Sequence, residues 1–430
     1  MASQRLLLRQ VQLLEGEGRP PRRADVLLEA GRLLELDAPE VADPAGLDVI
    51  DAAGLWFGPG LVDPHSVLRE PRQGRAETLE SLAAAAAEGG YGTVALLPWA
   101  GSWRDRPEAF DLAWPAPQRL LLWGSFSRGG DDQELAPHGE QLAAGACGLA
   151  SGPALPSLPL LERGLRLAEM GDAPVLLAPR DPGLSRDGFV RERVEALRSG
   201  WPVDPPLSEI LPLQSLLTLA QALPGAPLRL MNLSTAEGVA LLRGASRAPM
   251  ASVSWWHLLA DCGRLDPAAE GWRVLPSLGG PADREALIQA LADGVLSAVA
   301  VQHEALDPEE RLLPLDQRRP GIAGHGLVLP RLWRELVVER GWTPSQLWQV
   351  LCWGPCRFLG LAASELQPGS HDWILFDPEA PAGPTPGGGA CDPSLAANRP
   401  DRDGPPAQGR VIAAGFSAPG RWSLPDPRPR

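Results

Sequence analysis

The sequence contains no lysine, and all 39 of its basic residues are arginine. Without a lysine ε-amine, the chain cannot form a Schiff base, supply the phosphate-binding lysine of a P-loop or carry a carbamylated metal ligand. Cysteine is also scarce: its five residues are an odd number and include no Cys-x-x-Cys pair. We therefore expect reduced thiols in a packed core. The i, i+4 spacing of Cys352 and Cys356 leaves a metal-binding pair as the alternative.

Long apolar runs are absent as well. No stretch reaches the roughly 18 uncharged apolar residues that a transmembrane helix needs. The first 20 residues hold only short leucine runs interrupted by Arg5, Arg9 and Glu15, which is unlike a signal peptide. The net charge of −14 disfavours binding to nucleic acid or to anionic lipid. We predict a cytoplasmic protein that binds neither nucleic acid nor membrane.

Short apolar runs separated by amphipathic helix candidates fill the middle of the 430-residue chain. Eight such β/α units favour a parallel (β/α)8 barrel of the TIM type, an α/β fold. The eight runs are residues 61–62, 93–98, 120–126, 147–150, 174–178, 228–233, 251–255 and 297–301. Two of the intervening helices are predicted over residues 189–198 and 214–223.

Both ends of the chain have a different pattern, in which strand-like runs alternate with Gly, Pro and Asp turns. We expect the two ends to pair as one small β domain. The predicted domain limits are residues 1–55 for the first part of this β domain, 56–362 for the barrel and 363–430 for the second part.

A recognisable signature begins at the predicted first barrel strand. It reads GPGLVDPHSVLREP over residues 58–71, and Glu77-Thr78, an alanine-rich helix, GGYGTV and Leu97-Pro98 follow it in order. Further matches are Leu233-Ser234-Thr235, His257-Leu258, DREAL over residues 283–287, GIAG over residues 321–324 and residues 369–377. In these motifs the chain resembles the dihydroorotases, members of the cyclic amidohydrolase family. The resemblance spans nearly the whole sequence.

The resemblance implies a barrel of the amidohydrolase kind with one or two zinc ions at the carboxyl ends of its strands, and a β domain built from both termini. In active members the metal lowers the pKa of a bound water, and an aspartate after the last strand acts as general base. The reaction interconverts carbamoyl aspartate and dihydroorotate.

Most residues that carry this chemistry in the family are replaced here. His65 matches the first of two first-strand histidines, but Val67 occupies the second place, and its isopropyl group cannot bind a cation. Residues 150–152 contain no carboxylate or lysine where the fourth strand should supply a ligand. The other replacements are Ala178 for a histidine and Arg180 for an acid after the fifth strand, Asn232 for a histidine after the sixth, and Gln302 for the catalytic aspartate after the eighth.

The resemblance thus leaves His65 as a single metal-ligand remnant, which we expect to be unoccupied, and no catalytic residue. Zinc is the cofactor of active family members, and a catalytic zinc site needs about three protein ligands. Because only one ligand remains, we expect no cofactor in this chain. Arg69 matches the arginine that binds the substrate carboxylate, and an ion pair with Glu70 or Glu77 is the alternative. For His65 the alternative is a hydrogen-bonded structural histidine.

Three functions remain open from the sequence. The leading hypothesis is a dihydroorotase-like protein of pyrimidine biosynthesis that lacks hydrolase activity and acts as a structural partner of aspartate carbamoyltransferase, either alone or as a homo-oligomer. The alternative is an active dihydroorotase, or another cyclic amide hydrolase, with an atypical site. The third is a small-molecule binder that holds an anion with Arg69 and Arg180.

Overall fold

A computed structural model describes residues 5–37, 47–71, 74–101, 103–266, 268–381, 394–400, 407–417 and 422–425. Within these ranges the strands are β1 (Arg5–Leu13), β2 (Arg22–Glu29), β3 (Arg32–Leu36), β4 (Leu47–Asp51), β5 (Trp56–Pro59), β6 (Leu61–Ser66), β7 (Tyr91–Leu96), β8 (Arg119–Ser125), β9 (Ala146–Ala150), β10 (Val175–Leu177), β11 (Val190–Arg191), β12 (Val203–Asp204), β13 (Leu228–Leu230), β14 (Met250–Ser254), β15 (Ala298–Ala300), β16 (Trp373–Asp377) and β17 (Arg410–Ala414).

The helices are α1 (Leu79–Glu88), α2 (His138–Ala143), α3 (Leu158–Leu167), α4 (Pro182–Ser185), α5 (Val194–Ser199), α6 (Leu207–Ala222), α7 (Ala236–Gly244), α8 (Trp256–Leu259), α9 (Pro281–Ala292), α10 (Pro308–Arg311), α11 (His325–Leu332), α12 (Pro344–Trp348) and α13 (Gly354–Phe358). Trp333–Val338 continues α11 as a π-helical segment, and Gln349–Trp353 joins α12 to α13 in the same way. Short 3-10 turns cover Pro107–Phe110, Arg128–Gly130 and Glu270–Trp272.

Eight parallel strands form the barrel, in the order β6, β7, β8, β9, β10, β13, β14, β15. Backbone hydrogen bonds join the eighth strand to the first. The Val67 N–H donates to the His303 carbonyl at 2.7 Å, and the Gln302 N–H donates to the His65 carbonyl at 3.2 Å. Each barrel strand is buried on both faces, since helices cover its outer face and the side chains of the barrel interior cover its inner face. The strands are therefore apolar. The predicted (β/α)8 barrel is confirmed.

The second sheet joins both ends of the chain, in the order β17, β16, β5, β1, β2, β3, with β4 also paired to β1. Its core includes Leu8, Val11, Phe57 and Trp373, all buried. The predicted β sheet from the two chain ends is therefore confirmed. Strand β5 lies beyond residue 55 and still pairs in this sheet, while the domain limits themselves stay a prediction.

The helix expected over residues 189–198 is wrong in its first half. Val190–Arg191 is a short strand that pairs in parallel with Val203–Asp204, and α5 begins only at Val194. The cause is tertiary: the Arg191 N–H donates to the carbonyl of Leu278 at 2.8 Å, and its side chain is buried in an ion-pair cluster. Residues 181–206 thus form an irregular segment between the fifth barrel strand and α6.

The four cysteines in the described ranges carry free thiols; Cys262, Cys352 and Cys356 are buried, and Cys147 is half-buried. Cys391 lies outside the described residues. Among the helices that the structure describes, none is both long enough and apolar enough to span a bilayer.

Candidate functional site

The carboxyl ends of the barrel strands, here called the barrel mouth, bring the predicted site residues together. His65 is the penultimate residue of the first strand, Asn232 follows the sixth strand and Gln302 follows the eighth, so their side chains meet at one end of the barrel. Ser252, on the seventh strand between them, completes the group. These four buried residues are called the His65 network below.

The His65 network is a closed set of hydrogen bonds. His65 Nδ1 lies 2.6 Å from Gln302 Oε1, and His65 Nε2 lies 2.9 Å from Ser252 Oγ. Asn232 Nδ2 donates to the same Gln302 oxygen at 3.1 Å, and the Asn232 backbone N–H donates to Ser252 Oγ at 3.0 Å. Both imidazole nitrogens are therefore engaged by protein groups.

The partners fix the protonation of the imidazole. Gln302 Oε1 is an acceptor, so Nδ1 carries the proton and Nε2 accepts from the Ser252 hydroxyl. Burial lowers the pKa of His65 to about 4, despite the opposing effects of the Asp63 charge and the Gln302 hydrogen bond. At pH 7 the His65 network is thus neutral throughout.

Two members of the His65 network have left-handed backbone conformations. The φ angle is 45° at Asn232 and 48° at Gln302. Asparagine adopts this region with little cost, whereas glutamine does so only where the surrounding structure enforces it. The barrel therefore holds both carboxamides in place at the mouth, facing one imidazole.

The residues at the mouth do not fit the zinc that the family resemblance implies. Val67 and Ala178 are buried aliphatic side chains without a lone pair. Asn232 and Gln302 are neutral amides: Gln302 binds His65, and Asn232 binds Gln302. In the part of the chain that the structure describes, no group of three or more His, Cys, Asp or Glu side chains could hold a metal ion. Catalytic zinc needs about three such ligands.

Arg69 forms an ion pair at the mouth with a partner that sequence reasoning missed. Its Nε and Nη2 atoms lie 2.6 and 2.5 Å from Glu304 Oε1, so the partner is Glu304 rather than Glu70 or Glu77. Glu304 is two residues beyond Gln302, after the last barrel strand. No spacing in the sequence pointed to this contact, because the two residues are 235 positions apart. Substrate binding by Arg69 stays a prediction.

Glu77 belongs to a separate buried cluster behind the mouth. Its carboxylate lies 3.2 Å from His303 Nε2 and accepts hydrogen bonds from Ser394 and the Leu395 backbone. Burial raises the pKa of Glu77, but the contacts with His303, Ser394 and Ser81 outweigh it and lower the pKa to about 2. The cluster ties residues 394–400 to the barrel.

Two further arginines lie after the fifth strand, Arg180 just beyond its end and Arg191 within the segment that follows. Arg180 is buried and donates to the Pro153 carbonyl at 3.0 Å, and burial lowers its pKa to about 10. Arg191 is fully buried between Asp204, at 3.0 Å, and Glu209, at 3.1 Å. The sequence shows no sign that Arg191 is a buried ion-pair residue, because it lies among the polar positions of a predicted helix.

Aromatic side chains fill much of the remaining mouth. Trp99 is buried and donates from its indole N–H to the Ser151 carbonyl at 2.9 Å. Trp256 donates in the same way to Gly271, and its ring packs 5.5 Å from that of Trp255. These residues add apolar bulk where a polar substrate would need hydrogen-bonding groups.

Known proteins resemble this chain in sequence and in fold. It is 33% identical to a probable dihydroorotase-like protein of Synechocystis sp. over 396 residues, 83% of this chain and 88% of the relative. It is 32% identical to the dihydroorotase of Thermus aquaticus, with 88% and 91% covered. The L-hydantoinase (dihydropyrimidinase) of Arthrobacter aurescens superimposes with a TM-score of 0.78 over 96% of this chain and 97% of that one, at 19% identity. No family model matches.

Proposed function

The chain belongs to the dihydroorotase family, and from this membership we propose that it is a member without hydrolase activity. The His65 network supports the proposal, because neutral side chains that bind one another stand where the family resemblance leads us to expect metal ligands and the catalytic base. Its biological setting is then pyrimidine biosynthesis, where dihydroorotases act.

The chemistry of these side chains supports the loss of hydrolysis. Interconversion of carbamoyl aspartate and dihydroorotate needs an electrophile to polarise the amide and a group that takes up a proton. The Gln302 amide accepts no proton at pH 7. His65, with a pKa of about 4 and both nitrogens engaged, is also a poor base near neutral pH.

Zinc content tests this part of the proposal. We expect protein purified from zinc-supplemented medium, then desalted, to contain far less than one zinc per chain. Val67→His should also contain far less than one zinc per chain, because it adds one histidine to His65 and a catalytic zinc site needs about three protein ligands. Elemental analysis gives the stoichiometry of both proteins. One or more tightly held zinc ions per chain in the unmodified protein would contradict the proposal and favour an active hydrolase with an atypical site.

For its positive role, we propose that the chain is a structural partner of aspartate carbamoyltransferase. The support is the combination of a complete barrel and chain-end sheet with a site that lacks metal chemistry. A folded scaffold without catalysis leaves binding as its remaining use, and function has to be sought on its surfaces.

Co-purification tests the partnership. The carbamoyltransferase should be recovered with this protein from the native cell, and the mixed recombinant chains should elute as one larger species with a raised melting temperature for the carbamoyltransferase. Each chain run alone is the control. Separate elution at micromolar concentration, with an unchanged melting temperature, would rule the partnership out.

A further inference from the structure

A long connection joins two neighbouring strands of the chain-end sheet. β16 ends at Asp377 and β17 begins at Arg410, and the two strands pair in antiparallel fashion. Such neighbours need only a short turn between them, and connections longer than about 15 residues are uncommon and often functional. Here the chain leaves the sheet and reaches the barrel mouth, where residues 394–400 bind. This segment is called the latch below.

Hydrogen bonds attach the middle of the latch to the residues that follow the eighth barrel strand. The Ala397 N–H donates to the Leu306 carbonyl at 2.9 Å. The Asn398 side chain accepts from the Leu306 N–H at 2.9 Å and donates to the Glu304 carbonyl at 3.0 Å. One side chain of the latch thus binds two backbone groups of the barrel.

Polar contacts also hold both ends of the latch. At its start, Ser394 Oγ and the Leu395 N–H donate to the Glu77 carboxylate at 2.6 and 3.1 Å. At its end, the Pro400 carbonyl accepts from Arg331 Nη2 at 2.5 Å. Hydrogen bonds to charged groups are stronger than those between neutral groups, so these two ends are the firmest attachments.

The latch contributes little to the apolar cores. Ala396 packs in a small cluster with Ala76, Ala305 and Ala323. Among the residues that the structure describes, no latch residue belongs to the core of the barrel or to that of the chain-end sheet. Its only leucine, Leu395, is 51% exposed. Because alanine buries little apolar surface, the latch is held mainly by hydrogen bonds.

This kind of attachment favours local opening. Segments with few buried apolar contacts open at a lower free energy than the whole molecule unfolds. The barrel and the chain-end sheet each have a core of their own, which the departure of the latch leaves intact. Opening would release the Glu77 carboxylate and the backbone groups of Glu304 and Leu306 at the mouth.

We propose that residues 394–400 form a latch, closed in this structure, that opens and closes at the eighth-strand side of the barrel mouth while the barrel and the chain-end sheet stay folded. Glu77 and Asn398 set the balance between the two states, because they bind the latch through side chains. This inference goes beyond the loss of hydrolysis and the carbamoyltransferase partnership, since it concerns neither the metal positions nor a second protein.

Hydrogen exchange of the unmodified full chain, followed by mass spectrometry with residue-level fragmentation, tests the proposal. The Leu395 and Ala397 amides should be protected, and low urea concentrations should leave their exchange rates unchanged, because local opening exposes little surface. Amides of the barrel strands β10 and β13 should exchange more slowly. Their rates should rise with urea, because they open only on global unfolding.

Two variants weaken the latch from opposite sides. Glu77→Gln replaces one acceptor oxygen by a nitrogen that cannot accept, and Asn398→Ala removes both bonds of that side chain to the barrel. In each variant the latch amides should exchange about tenfold faster, while the rates in β10 and β13 stay unchanged. Glu309→Gln is the matched control, since this exposed carboxylate faces Arg75 at 3.9 Å and its variant should leave latch exchange unchanged.

Three results would overturn the proposal. Latch amides without protection in the unmodified protein would show that the latch is not closed in solution. Latch rates equal to those of the barrel strands, with the same urea dependence, would show that it opens only on global unfolding. Equal acceleration of latch and barrel amides in both variants would assign Glu77 and Asn398 to global stability. If a variant does not fold, the urea dependence in the unmodified protein decides.

Discussion

Burial controls the charge of the histidines at the barrel mouth. His65 and His257 are both buried, and desolvation lowers the pKa of each to about 4. His65 finds its partners in Gln302 and Ser252, and His257 Nε2 lies 3.1 Å from the Pro276 carbonyl. Both rings are therefore neutral, structural parts of the mouth at physiological pH.

This neutrality predicts a stability that falls on acidification. In the unfolded chain a histidine titrates near 6.5, so between pH 6.5 and about 4 the unfolded state binds more protons than the folded state. The contribution of these two histidines to the free energy of unfolding is therefore fully present above pH 6.5 and decreases as the pH falls toward 4. His65 alone contributes on the order of 3 kcal/mol to this change. The pKa of Glu77 falls from 4.5 to about 2 in the folded chain, so its contribution is lost from about pH 4.5 downward.

His65→Gln should therefore give a flatter dependence of the unfolding free energy on pH. Urea unfolding at several pH values from 7.5 to 4.5 measures the slope. His371→Gln is the matched control, because His371 is exposed and its variant should retain the slope of the unmodified protein. If His65→Gln also retained that slope, the imidazole would not be held neutral by burial.

The site could be predicted from the sequence only in part. Strand-end positions placed His65, Asn232 and Gln302 at one barrel mouth, and they do meet there. Ser252 lies within an apolar run, where a small hydroxyl side chain carries no signal of its own. Glu304 was missed because its contact with Arg69 depends on how the last strand meets the first, which only the closed barrel determines.

At the scale of secondary-structure elements, the pattern of apolar residues predicts the barrel strands correctly but not the structure of the segment after the fifth strand. The eight predicted runs overlap the eight observed strands, because buried strands are short, apolar and bounded by turns. Residues 189–198 have a helical spacing of apolar residues, yet their first part is a strand. There the buried cluster of Arg191 with Asp204 and Glu209 overrides local preference.

The same cluster explains why α6 begins earlier than its sequence indicates. A helix was expected only from residue 214, after Pro212, whereas the structure starts it at Leu207. Proline removes a backbone donor and normally interrupts a helix beyond its first turn. Here Ser208 and Glu209, in the first turn of α6, bind Arg191 at 2.7 and 3.1 Å. These tertiary contacts stabilise the additional turns.

At the scale of the whole molecule, the fold and the chemistry of the family are separable. The barrel and the chain-end sheet require apolar strands, turns and covering helices, all of which are present. Metal-dependent hydrolysis requires a few particular side chains at the strand ends, and there the chain carries valine, alanine and amides. In the residues that the structure describes, the barrel packs through apolar side chains of its strands and helices, so the fold and the site chemistry can diverge.

Growth rescue tests the proposed absence of hydrolase activity most directly. The gene is expressed in a bacterial strain that lacks its own dihydroorotase, in medium without pyrimidines, and an active dihydroorotase gene serves as the positive control. We predict no growth without added pyrimidine, although the protein is folded and abundant, and the same result for Val67→His. Pyrimidine-independent growth with the unmodified gene would contradict the account and show that the barrel mouth catalyses the reaction by residues other than the family's metal ligands.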